Sequence, residues 1–134
     1  MNRQGLVERV QRFKKQPKKR ELTFVSGETT SFKEVFPGVS KALLWGSEET
    51  GPYGALTKFS PGFDAGMHTH TNDSRIVVIK GAYLYRDNTG EKRVGPGDFI
   101  SIPGGTKHWS GGDSTEGALF LEEVDGKFDL IPVM

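Results

Sequence analysis

The chain has 134 residues, a formal net charge of +1 and no cysteine. That length suits one domain with a single core. The lack of cysteine excludes disulfides, thiolate zinc sites and thiol nucleophiles, and no apolar run approaches the ~20 residues of a membrane-spanning helix.

The near-neutral total gives no general pull toward nucleic acid or membranes, but it is unevenly spread. Residues 1–20 hold eight basic residues against Glu8, a net of +7; the rest holds ten basic and sixteen acidic residues, a net of −6. A basic arm over residues 1–20 therefore precedes an acidic body over residues 21–134. Within the arm, LVERVQRFKK sets Leu6, Val7, Val10 and Phe13 at helical spacing, and Pro17 ends the pattern. Three roles fit it. It suits a docking or dimer-contact helix with a flexible basic linker, or a contact with a membrane surface or nucleic acid. An organelle transit peptide is the third, although the segment is short and lacks serine. No apolar h-region follows the charges, so the expected compartment is the cytoplasm, or the periplasm for a mature chain whose signal had been cleaved.

From Glu21 onward short runs rich in β-branched and aromatic residues alternate with Gly, Pro, Asp and Asn. In chain order they are ELTFV, VSKALLWG, YGALTKFS, SRIVVIKG, AYLYRD, DFISIPGG, KHWSGG, GALFLEEV and KFDLIPV. No helical period is sustained there. Eighteen glycines and seven prolines punctuate the chain at strand-length intervals, the pattern of an all-β sandwich or barrel. RDNTGEKR predicts a hairpin with its turn at Asn88 to Gly90. Gly62, Gly81, Gly97 and Gly105 are expected at turns that need positive φ. Trp45, Tyr53, Phe59, Tyr83, Tyr85 and Phe120 are expected to line the barrel interior, mostly as core.

Only three histidines occur, and two form His68-Thr69-His70. On a strand, residues two apart share a face at a spacing of about 6–7 Å, so two imidazoles project side by side and can grip one cation. The remaining histidine is His108, in PGGTKHWSGG, which also follows a Gly/Pro turn and enters a strand. A lone histidine in a β domain is ordinarily a surface or hydrogen-bonded residue; here all three fall in two segments of matching grammar. Three neutral imidazoles suit Zn, Fe, Ni, Cu or Mn.

These residues also resemble the cupin superfamily. Its first motif is G-x5-H-x-H-x3,4-E-x6-G; this chain has Gly62, His68, His70, Ser74 and Gly81 in that register. Its second is G-x5-P-x-G-x2-H-x3-N; here stand Gly97, Pro103, Gly105, His108 and Gly112. The resemblance implies an all-β cupin jelly-roll β-barrel (a double-stranded β-helix) over residues 21–134, most like small single-domain proteins akin to the cupin half of the ChrR anti-sigma factor. It implies one divalent metal on His68, His70 and His108. Ser74 replaces the usual metal-binding glutamate, and Gly112 an asparagine that is seldom a ligand. Without that glutamate the metal keeps its full charge and open positions, which favours an anionic or enolisable substrate. Three-histidine cupins among dioxygenases make Fe(II) the favoured metal if the protein is an enzyme, with Zn, Mn or Ni as alternatives.

The functional expectation is metal-dependent chemistry, dioxygenase-like or Lewis-acid, on a small oxygen-rich or enolisable molecule. The alternative is a non-catalytic sensor or ligand-binding module similar to an anti-sigma cupin domain. A homodimer is expected; a nucleic-acid partner and a membrane span are not. Ser74 shares parity with His68 and His70 and should point toward the metal, provided the strand runs on through Thr71–Asp73; two roles fit it, a hydrogen bond to a metal-bound water or a small filler. Trp109 has the opposite parity to His108 and should pack outside the barrel. Glu122 and Glu123 alternate, so one of them faces inward as a base or a fourth ligand; alternation alone does not say which.

Overall fold

The computed structural model describes residues 20–134, so the expected helix or flexible arm lies almost wholly outside the described residues. No described residue is helical, so among the described residues no helix is long and apolar enough to cross a membrane. Eleven strands follow in order: β1 (Lys33–Phe36), β2 (Val39–Gly46), β3 (Tyr53–Phe59), β4 (Asp64–Thr69), β5 (Ser74–Gly81), β6 (Tyr83–Asp87), β7 (Gly90–Val94), β8 (Phe99–Ile102), β9 (His108–Gly112), β10 (Ala118–Val124) and β11 (Ile131–Pro132). They form a six-stranded sheet, β1-β2-β3-β10-β5-β8, and a five-stranded sheet, β11-β4-β9-β6-β7. All the pairings are antiparallel. The two sheets face each other as a jelly roll.

Alternation drives the packing, because successive residues of a strand face opposite sides of its sheet. On β5, Ser74, Ile76 and Val78 point inward while Arg75, Val77 and Ile79 are exposed. On β10, Ala118, Phe120, Glu122 and Val124 are buried. The core joins both sheets: Phe120 meets Phe59 with ring centroids 5.0 Å apart and Tyr83 at 5.3 Å, both edge-on, a favoured geometry for aromatic pairs. Burial removes the Tyr83 hydroxyl from water and pushes its pKa well up.

Gly62, Gly81, Gly97 and Gly105 all have positive φ, as their turn positions require. Gly81 has a second reason. It lies where the chain leaves β5 for β6 in the other sheet, and an added Cβ would stand 2.3 Å from the Gly117 carbonyl oxygen. The RDNTGEKR hairpin forms with Asp87 paired to Gly90.

Three sequence expectations need correction. ELTFV forms no strand; Leu22 and Phe24 are exposed, because no described strand pairs with that segment and β propensity without a partner does not make a ladder. KFDLIPV supplies only the two residues of β11. Trp45 does not line the interior. A register shift between Leu43 and Trp45 in β2 turns it outward, where its indole covers Gly54 and a Cβ on that glycine would clash at 2.1 Å.

The outer face of the six-stranded sheet carries an apolar row. Ala42 pairs with Leu56, Leu56 with Leu121, Leu121 with Val77, and Val77 with Phe99. Val77 and Phe99 are 40% and 55% exposed, so the β5 end of the row is open at the surface.

Candidate metal centre and cavity

His68 on β4 is directly opposite His108 on β9 in the ladder, and His70 follows one residue past the end of β4. One ring nitrogen from each of the three lies within 4.8 Å of the others. The ring centroids of His68 and His108 are 4.4 Å apart, and those of His68 and His70 are 4.7 Å apart. The two segments singled out in the sequence therefore converge because the five-stranded sheet makes their strands neighbours.

Each imidazole is fixed in the same way. His68 Nδ1 donates to the Gly66 carbonyl at 2.8 Å, His108 Nδ1 to the Thr106 carbonyl at 2.9 Å, and His70 Nδ1 to the Asp129 carbonyl. With Nδ1 carrying the proton, Nε2 presents a lone pair. Burial lowers the pKa of all three rings below the ordinary histidine value, outweighing the opposing hydrogen bonds to Gly66, Asp129 and Thr106. The rings are thus neutral at physiological pH. His108 Nε2 is fully buried and has no hydrogen-bond partner among the described residues. A buried polar atom without a partner costs about 1–3 kcal/mol, and a cation on these three nitrogens would remove that cost. The donor set fits one divalent transition metal. Tyr85 stacks flat against His108, with centroids 5.3 Å apart and planes 18° apart, while its hydroxyl donates to Asp87 at 2.6 Å. Burial and the Asp87 carboxylate push this phenol up to about 12.

His68 and His70 open into a cavity of about 450 Å³ between the sheets, and His108 lies buried behind them. Its lining is graded, and the registers say how. Inward positions run Phe59 then Thr57 on β3, Val39 then Lys41 on β2, and Phe120 then Glu122 on β10. On the opposite wall Tyr83 pairs with Gly112, two inward steps along β9 from His108. One end is therefore aromatic, closed by Phe63 against Phe59 at 4.7 Å, and the other is polar.

Ser74 lies at the polar end, buried and lining the same cavity. It gets there by a different route from the one expected. The strand does not continue through Thr71–Asp73; the chain turns there and crosses to the other sheet, where Ser74 begins β5 opposite Ile102 and Val124. Trp109 faces away from the cavity, with Nε1 donating to Asp64 at 2.6 Å and the Arg86 guanidinium 4.7 Å from its ring centroid.

Glu122 is the inward member of the Glu122/Glu123 pair. It is not part of the imidazole cluster. Its Oε1 accepts from the Thr57 hydroxyl at 2.8 Å and lies 2.8 Å from Lys41 Nζ. Lys41 is itself buried, 3.5 Å from Glu48 and with its ammonium 4.0 Å from the Phe128 ring centroid. Sequence reading passed over Lys41. The available signal was its shared parity with Val39, which marks an inward charge on a strand.

The chain is 32% identical over 78 residues to an (R)-mandelonitrile lyase from Granulicella tundricola; the match takes in 55% of this chain and 60% of that enzyme, so less than two thirds of the relative is spanned. Solved structures extend the comparison at the level of fold. The polyketide cyclase RemF from Streptomyces resistomycificus superposes with a TM-score of 0.70 at 19% identity, covering 85% of this chain and 87% of that one. An RmlC-like cupin from Shewanella frigidimarina gives 0.63 at 20%, covering 78% and 92%. The complex of Rhodobacter sphaeroides SigE with the anti-sigma ChrR gives 0.58 at 21%, covering 75% and 51%. The cupin fold implied by the resemblance of the two motifs is thereby established, and, with residues 14–134 matching the family model, the chain belongs to the cupin-like family described as "Domain of unknown function (DUF4437)".

Proposed function

We propose that the protein is a mononuclear metal-dependent enzyme acting on a small oxygen-bearing molecule, with the ion held by His68, His70 and His108. The observation that carries this is the common arrangement of the three rings: Nδ1 is spent on a backbone carbonyl, leaving Nε2 free, and the His108 Nε2 is buried without a partner. Such outer hydrogen bonds are what orient metal-ligating imidazoles. A divalent cation there supplies Lewis acidity toward a coordinated oxygen. The protein supplies an aromatic end that holds an apolar body and a polar end that orients it. Likeness to the mandelonitrile lyase makes (R)-mandelonitrile the first compound to assay. Protein purified without chelator should carry one divalent metal per chain and release benzaldehyde from it. Metal-free protein from several preparations, with no uptake of Fe(II), Mn(II), Zn(II) or Ni(II), would end this reading.

A second reading, Fe(II)-dependent dioxygenase chemistry, is favoured by the all-nitrogen donor set. Oxygen uptake with small diketones or thiols after anaerobic Fe(II) loading distinguishes it from Lewis-acid chemistry, which consumes no oxygen.

Ser74 holds a metal-bound water in this reading. Ser74→Glu should place a carboxylate in its stead and slow chelator-driven metal loss by about tenfold or more, the scale on which neighbours of a metal site act. It should also suppress any activity that needs the open position. Unchanged chelator kinetics would mean that Ser74 does not face the ion.

The outer apolar row through Leu121, Val77 and Phe99 is the surface for a homodimer, with the basic arm of residues 1–20 as a separate segment ahead of the barrel domain. Exposed apolar patches of this kind mark association sites. Sedimentation of a monomer at tens of micromolar would rule the dimer out.

A further inference from the structure

The polar wall of the cavity holds a group that the metal site does not use. Thr57 and Lys41 both contact Oε1 of Glu122. Among the described residues, no hydrogen-bond donor reaches Oε2, and the side chain keeps 11% of its surface exposed while lining the cavity. One oxygen is anchored by an ammonium and a hydroxyl; the other is an open acceptor.

We infer that Glu122 accepts and returns a proton in this cavity through Oε2, with Lys41 and Thr57 as positioning residues, and that the ligand is a small aromatic alcohol. This rests on the reading of the cavity as a small-molecule site. The two halves of the ligand follow from the β10 register. Phe120, with Phe59 and Tyr83 around it, is one inward step from Glu122, a separation of about 6–7 Å. A ring seated on these aromatics places a hydroxyl on the adjacent carbon at Oε2. On a cyanohydrin the step balances without an outside reagent. Oε2 takes the hydroxyl proton, and the O–H electron pair becomes the second bond of the new carbonyl. The carbon–carbon bond breaks with its electrons leaving on cyanide, and the Glu122 carboxylic acid returns the proton to give hydrogen cyanide and the aldehyde. General acid–base groups of this kind contribute about 10²–10⁴-fold to rate.

The test uses two unreactive probes, (R)-1-phenylethanol, which can donate a hydrogen bond, and acetophenone, which can only accept. Binding is measured by calorimetry on the full chain, alongside metal content. Wild type should prefer the alcohol by about tenfold, the scale of one hydrogen bond to a charged group. In Glu122→Gln the amide oxygen remains with Lys41 and Thr57, so an NH₂ replaces Oε2; the preference should vanish or reverse while metal content stays at the wild-type level. Cleavage of (R)-mandelonitrile, where wild type shows it, should fall at least about 100-fold. Should Glu122→Gln not fold, Lys41→Met with Glu122→Gln removes both buried charges together and makes the same comparison. An identical alcohol preference in wild type and variant overturns the role of Glu122. Failure of wild type to bind either probe overturns the aromatic-alcohol ligand. A reversed preference in protein that takes up no metal keeps the Glu122 assignment and removes the metal reading instead.

Discussion

His108→Ala is expected to lower the divalent metal content from one per chain to under about a tenth while leaving a folded β-protein. Removing a ligand should weaken binding by more than the 10–100-fold that changes outside the ligand shell produce. The apo protein should barely notice. His108 Nε2 is a buried atom with no partner, and relief of that cost, about 1–3 kcal/mol, offsets much of the lost packing against Tyr85 and His68. The variant is therefore separable from wild type by a metal-dependent thermal shift. Metal at 100 times its Kd stabilises the wild-type fold by about 2.7 kcal/mol, and the variant should show almost none of it. His68→Ala and His70→Ala should behave alike in metal content. If any of the three retains stoichiometric metal, that histidine is not a ligand.

The largest loss of stability is expected from Phe120→Ala. Phe120 is 1% exposed and makes edge-on contacts with Phe59 and Tyr83 from two other strands. Truncating a buried phenylalanine costs about 3–5 kcal/mol, which for a domain of this size lowers Tm by roughly 10–20 °C. Because the three histidines lie on the opposite wall, metal stoichiometry at low temperature should be unchanged. Denaturant melts read the stability and metal analysis reads the stoichiometry; a loss of less than about 1 kcal/mol would show that the cavity collapses around the gap.

The clustering of the three histidines was legible in the sequence because their two segments carry their own punctuation. Gly62 and Gly105 set the turns, His68 and His70 share a face by alternation, and His108 enters its strand two residues after a positive-φ turn has closed. What alternation does not contain is which strands become neighbours. Glu122 and Glu123 are indistinguishable until β10 is paired with β3 and β5, and only that pairing puts Glu122 beside Thr57. The same limit hid Lys41, whose nearer carboxylate partner, Glu122, is 81 positions further along. Trp45 was misplaced because the register shift in β2 reverses parity locally, and a bulge of that kind leaves no compositional mark. Ser74 was placed in the right cavity although the chain turns away from β4 and crosses to the other sheet.

That crossing divides the chemistry between two walls. His68 and His108 belong to the five-stranded sheet and His70 directly follows its strand β4, whereas Ser74, Lys41, Thr57 and Glu122 belong to the six-stranded one. The backbone carbonyls of Gly66 and Thr106, which orient His68 and His108, lie outside the six-stranded sheet, whereas the Asp129 carbonyl that orients His70 follows Phe128, which packs on Lys41. Inheritance can therefore keep the histidine cluster and change the wall that faces it. A lineage that alters the strands bearing Lys41 and Glu122 reshapes the polar wall without replacing His68, His70 or His108, and the two walls are free to diverge at different rates.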